Sequence, residues 1–147
     1  MDLILWRHAD AESGVPDEDR KLTAKGEKQA ERMAAWLKEN LPKDVVVLAS
    51  PARRARDTAG ALTKKFDAVR EVGTSASAQA VLKAAGWPRG ERTVVVVGHQ
   101  PTLGQAAALA LTGKSGDWSV KKGAIWWLAA RSPGEIVVRA VLAPDML

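Results

Sequence analysis

TVVVVGHQPTLG, residues 93–104, is the stretch on which the fold turns. Four consecutive valines without polar alternation suit a strand covered on both faces, the kind found in parallel sheets flanked by helices. The run ends at Gly98, His99, Gln100 and Pro101, and the apolar TLGQAAALALTG that follows reads as a helix. In open α/β sheets ligands bind at the carboxyl ends of strands, where His99 is expected to lie. Only one other histidine occurs in the 147 residues. It is His8, which closes a similar apolar run, Leu3 to Trp6, inside LWRHADAE.

The pattern repeats between these two points. Val45 to Leu48 forms a further buried strand and leads into Ser50 and Pro51. Serine is a favoured N-cap and proline a favoured first helical residue, so a helix is expected to begin there, with Ala55, Ala59, Leu62 and Phe66 on its core face. Thr23 caps an earlier helix that carries Ala30, Met33, Ala34, Leu37 and Leu41 at helical spacing and stops before Pro42. Residues 10–21 read as a polar loop, and 72–80 as a loop entering a short Ala-rich helix closed by Gly86, Trp87 and Pro88. The tail offers two more strands, Ala124 to Ala129 and Ile136 to Leu142, joined by RSPGE as a hairpin at a sheet edge. The expectation is one domain, residues 1–147, with an α/β fold: a three-layer α/β/α sandwich around a mainly parallel sheet.

Composition narrows the function. A formal charge of +5 and a pI near 9.7 favour anionic partners. Nucleic acid is a weak reading, because the basic residues are scattered apart from Arg53, Arg54 and Arg56, and the chain has no Tyr and one Phe. The absence of Cys removes disulfides, thiolate catalysis and zinc-thiolate sites, and two distant histidines do not make a metal site. The N-terminus carries neither a basic n-region nor a long apolar stretch, so no signal peptide and no membrane span are expected there. A cytoplasmic monomer without a cofactor is the default. The six tryptophans are read as packing residues.

Parallel strands would open three ends on one edge: Arg7 and His8, Ser50 with its following arginines, and His99 with Gln100. Two of these ends also start helices, whose free N–H groups attract anions. Charge-assisted hydrogen bonds of roughly 1.5–3 kcal/mol each could hold a phosphate. A neutral imidazole is also a competent nucleophile toward phosphorus, and nearby arginines favour that neutral form. Helical geometry sets Arg53 opposite the core face and leaves Arg54 and Arg56 as alternatives flanking it.

The segments RHADA, SPARRARDTA and GHQPTLG resemble the signature segments of the histidine phosphatase superfamily, and the short chain is most similar to SixA-type phosphohistidine phosphatases. The resemblance implies a phosphoglycerate mutase-like fold and a metal-independent phosphatase. It implies that Arg7 and His8 are the first arginine and the phosphorylated histidine, that Arg54 is the second phosphate-binding arginine, and that His99 completes the clamp. Ser50 and Gln100 lie in matching motifs as further phosphate-binding candidates.

Two departures from the family pattern bear on the substrate. The usual RHG is RHA here, with Ala9. Members that cleave alkyl phosphates usually place a carboxylic acid between the second arginine and the second histidine, yet residues 72–90 contain no Asp or Glu. Asp10 and Glu71 remain as candidate general acids. An alkoxide leaving group needs a proton, whereas imidazole leaves with a conjugate-acid pKa of about 6.5. The expected substrate is therefore phosphohistidine in a protein. The alternatives are a small-molecule phosphomonoesterase and a noncatalytic phosphate-binding module.

Overall fold

Successive side chains of a strand leave opposite faces, and strand β1 (Asp2–Arg7) uses both for the core. Leu3 and Leu5 join one apolar cluster with Val81, Val94, Val96 and Leu103, while Ile4 and Trp6 join another with Met33, Leu37, Ala55 and Ala59. All four β1 side chains are fully buried, each contributing about 1.5–3 kcal/mol. Two cores on two faces give three layers.

The computed structural model describes residues 1–132 and 134–147. The other strands are β2 (Val46–Ala49), β3 (Asp67–Ala68), β4 (Val94–Gly98), β5 (Ile125–Ser132) and β6 (Glu135–Leu142). They form one sheet in the order β3-β2-β4-β1-β5-β6. The first four run parallel, and the terminal hairpin continues the sheet antiparallel from β1. Helices α1 (Ala24–Asn40) and α2 (Arg53–Leu62) cover one face, and α3 (Ala78–Ala85) and α4 (Thr102–Thr112) the other. The mainly parallel α/β/α sandwich expected from the sequence is the observed fold.

Thr23 caps α1 as expected, its hydroxyl accepting from the Gly26 N–H at 2.9 Å, a contact worth about 1 kcal/mol. Gly26 has a second use. Any side chain there would collide with the Asp10 carbonyl, so its absence lets α1 lie flush against the backbone just beyond β1.

Three details differ from the sequence reading. Helix α2 begins at Arg53 with Ala52 in the cap position, so neither Ser50 nor Pro51 starts it. The Ser50 hydroxyl instead accepts from the Ala52 N–H at 3.2 Å, a local turn of the kind serine offers in competition with helix. Phe66 lies beyond the end of α2 and packs against the same core from the following segment. Strand β3 was not expected, because two exposed residues carry no apolar pattern. The RSPGE turn includes Pro133, which lies outside the described residues; on either side of it Ser132 pairs with Glu135. Four of the tryptophans pack on opposite faces of β5, Trp36 edge-on to Trp127 and Trp118 beside Trp126. No described helix is long and apolar enough to cross a membrane.

Candidate active site

Strand register brings the chemistry together. Arg7 stands opposite Gly98 across the β1–β4 ladder, and Ala49 opposite Val97 across β2–β4, so the three parallel strands end level. The ladder runs on by one bond each: His8 N–H donates to Gly98 O and Ser50 N–H to Val97 O, both at 3.0 Å. His8, Ser50 and His99 therefore emerge side by side, and the two imidazole rings lie 5.2 Å apart, centroid to centroid.

The His8 ring is held in one tautomer. Its Nδ1 sits 2.8 Å from the Ala9 carbonyl, and a carbonyl can only accept, so Nδ1 carries the proton and Nε2 keeps its lone pair. Burial pushes the His8 pKa down to about 4, against the pull of the Ala9 carbonyl and with added repulsion from Arg54, Arg7 and Arg20. His99 is lowered to about 3, chiefly by burial and then by His8 and Arg54. Both rings are neutral at pH 7. His99 Nε2 lies 2.8 Å from the Ser50 hydroxyl, and its Nδ1 is buried without a hydrogen-bond partner among the described residues.

Three arginines surround the rings. Arg7 donates from Nη1 to Val120 O at 2.9 Å, and its Nε is buried and unpartnered among the described residues. Of the two arginines that helical spacing left open, Arg54 is the buried one, at 5% exposure, and Arg56 is exposed and bonded to Pro51 O. Arg53 pairs with Asp57 on the outer face of α2. Thr58, one turn beyond Arg54, donates to Arg54 O at 2.8 Å and accepts from Ala9 N–H at 3.1 Å, tying α2 to the backbone beside His8.

The third arginine, Arg20, and its carboxylate partner were missed in the sequence. Asp17, on the loop 12–21, receives Arg54 Nη2 at 3.1 Å on one oxygen and Arg20 Nε at 3.0 Å on the other, while its backbone carbonyl takes Arg54 Nη1 at 2.9 Å. What burial this carboxyl has raises its pKa, and Arg54 and Arg20 outweigh it, so it titrates below the usual range. No local pattern in a polar loop announces a partner 37 residues away.

The weaker candidates are placed as follows. Gln100 commits its amide at both ends, donating to Trp118 O and accepting from Gly104 N–H, so it fixes the start of α4. Ser50 is fully buried and bonded to His99. Asp10 turns away to Lys122 and Thr23, both at 2.8 Å, and those bonds hold its pKa below the ordinary carboxylate value. Glu71 is exposed on the 3-10 turn Arg70–Val72 and is not hydrogen-bonded to the cluster. Among the described residues no group of three or more His, Cys, Asp or Glu is placed to hold a metal ion.

Two neutral imidazoles ringed by guanidinium groups at the carboxyl edge of a parallel sheet define a class of phosphoryl-handling α/β proteins. The family model for the histidine phosphatase superfamily (branch 1) matches residues 3–76, and the chain belongs to that superfamily. An uncharacterised protein of Mycobacterium tuberculosis (strain H37Rv) is 32% identical over 124 residues, covering 75% of this chain and 72% of its own. Among solved structures, the protein histidine phosphatase SixA complexed with tungstate superposes with a TM-score of 0.85 at 24% identity, over 99% of both chains. The putative phosphohistidine phosphatase SixA from Nakamurella multipartitia gives 0.79 at 25% identity, over 97% of this chain and 95% of that one. A phosphoserine phosphatase mutant from Entamoeba histolytica shares the fold at a TM-score of 0.74 and 19% identity, over 99% and 98%. Family and site together support a phosphatase acting on phosphorylated substrates.

Proposed function

We propose that this protein removes phosphate from phosphohistidine in proteins through a phosphoenzyme formed on His8. The observation that carries the reading is the state of the nearby carboxyls. Asp10 and Asp17 are both held by cations below the ordinary carboxylate range, so neither is a reservoir of protons at pH 7. An alkoxide leaving group would depart unassisted, at great cost, whereas a phosphohistidine protonated at its far ring nitrogen releases neutral imidazole.

In the first step His8 Nε2 attacks phosphorus in line, the donor's P–N bond breaks, and neutral imidazole leaves. Arg7, Arg54 and His99 hold the non-bridging oxygens and stabilise their charge in the loose transition state. A Ser50 hydroxyl donating to His99 Nε2 fixes the tautomer whose Nδ1–H faces phosphate, which makes Ser50 a positioning residue. The carboxylate of Asp17, 59% exposed, yields Arg54 to the incoming anion. Water then attacks the phosphoenzyme, and inorganic phosphate departs as His8 becomes neutral again.

Rapid-quench trapping of an acid-labile phosphoenzyme tests this, with wild type and His8→Ala compared on phosphohistidine peptides and on alkyl and aryl phosphomonoesters. The expected results are a phosphoenzyme in wild type only, a loss in kcat/KM of at least about 10⁴-fold in the variant, and preference for phosphohistidine. Turnover persisting in His8→Ala overturns the nucleophile. Equal or faster turnover of alkyl phosphates overturns the substrate.

A further inference from the structure

A second concave surface adjoins the imidazole site and differs from it in chemistry. Between α1 and the C-terminal segment Ala143–Asp145 lies a groove of about 550 Å³, lined by Lys25, Lys28, Arg32 and Lys121 and by a single carboxylate, Asp145. All four cations are exposed. None of them enters an ion pair among the described residues. Self-repulsion of this kind is unfavourable in the free protein and is relieved by an anionic partner.

The groove is mechanically continuous with the nucleophile. Gly123 donates its N–H to Arg7 O at 3.1 Å and to His8 O at 3.2 Å, hanging the turn that carries Lys121 and Lys122 directly on the catalytic backbone. Its φ of +74° favours glycine, and the lack of a side chain lets the turn approach Pro144, which lines the groove. At the rim, Lys122 holds Asp10, and Lys25 also lowers the Asp10 pKa.

The arrangement of the charges selects the ligand. A single phosphate is best held by forked guanidinium groups converging on one point, as Arg54 and Arg7 offer. Here Lys25, Lys28 and Arg32 run along one side of α1 over about 10 Å, with Lys121 across the groove from them. Spread, flexible, solvated cations match carboxylates spread along a polypeptide. We propose that this groove docks an acidic segment of the phosphorylated substrate protein beside its phosphohistidine. The proposal rests on the reading of the chain as a phosphatase of phosphohistidine proteins and extends it to how such a protein is recognised.

The test separates docking from chemistry. A fluorescent, unphosphorylated peptide rich in Asp and Glu is titrated by anisotropy against wild type and against Lys28→Gln/Arg32→Gln/Lys121→Gln, beside an Asn/Gln peptide of the same length. Wild type is expected to bind the acidic peptide about tenfold more tightly, an advantage that salt abolishes and the triple variant lacks. Hydrolysis of p-nitrophenyl phosphate should stay at the wild-type rate in the variant, which also shows that the variant is folded. Equal binding of the two peptides, or an advantage that survives in the variant, overturns the docking site. So does tighter binding of a single-stranded RNA oligonucleotide through the same three residues. Failure of the phosphatase reading is seen separately, as phosphohistidine peptides left intact by wild type, and leaves the binding comparison readable.

Discussion

Strand β1 carries opposite electrostatics at its two ends. At the amino end Asp2 is saturated: it accepts from Trp127 Nε1 at 2.8 Å, Arg139 at 2.9 Å and Arg131 at 3.2 Å, and the Arg139 guanidinium also lies 4.7 Å over the Trp127 ring. At the carboxyl end, cations outnumber their partners. Arg20 and Arg54 share the one carboxylate of Asp17, Arg7 donates only to the Val120 carbonyl, and Arg7 Nε, Arg54 Nε and His99 Nδ1 are buried without partners among the described residues. Since a buried polar group left unpaired costs about 1–3 kcal/mol, the first end contributes stability and the second withholds it. The lesson is that a binding site can be located as the place where satisfaction of polar groups stops.

The largest test of this contrast removes a cation from the open end. Arg54→Ala is expected to lower kcat/KM by about 10²–10³-fold, and a rise in melting temperature with tungstate or inorganic phosphate is expected in wild type and not in the variant. Unchanged stabilisation by the anion would place the site elsewhere.

A pH titration probes the same end through its histidines. Both folded-state pKa values, about 4 for His8 and about 3 for His99, lie below the unfolded value of about 6.5. The unfolded chain therefore binds more protons below that value, and stability falls with pH from about 6.5 downward. Between pH 7 and 5 the loss should be on the order of 2–4 kcal/mol in urea denaturation. His8→Asn should flatten roughly half of it. A level profile in wild type would mean that the rings are not buried as neutral groups.

The smallest effects distinguish the two carboxylates. Asp2→Ala should lower the melting temperature by about 3–5 °C and leave tungstate affinity unchanged. Asp17→Ala should tighten tungstate binding about threefold with little change in melting temperature. If the two variants behave alike, the ends are not the opposites described.

The sheet was legible because its signals are local. Valine runs mark β4 and β2, and Thr23 marks α1. Motif resemblance carried Arg7, His8, Arg54 and His99, and chain geometry explains why spacing alone stopped short. A 100° helical step leaves Arg54 and Arg56 equally placed beside the core stripe, and only the docking of α2 through Thr58 buries the former. Ser50 was misread as a helix cap because Ser-Pro satisfies that local rule, whereas its partner His99 is 49 residues away. Asp17 and Arg20 had no local signal at all. Their meaning comes from a loop folding back over α2.

The hydrogen bond from His8 Nδ1 to the Ala9 carbonyl has a consequence for energetics as well as for tautomer. In the proposed mechanism it leaves one nitrogen to accept phosphate, so the phosphoenzyme would be a single regioisomer, identifiable by its ³¹P resonance. With a phosphohistidine donor, the bond made then has the same chemical nature as the bond broken. Under that proposal, transfer between the two imidazoles would be close to thermoneutral and freely reversible, and the commitment to dephosphorylation would fall on the water that follows.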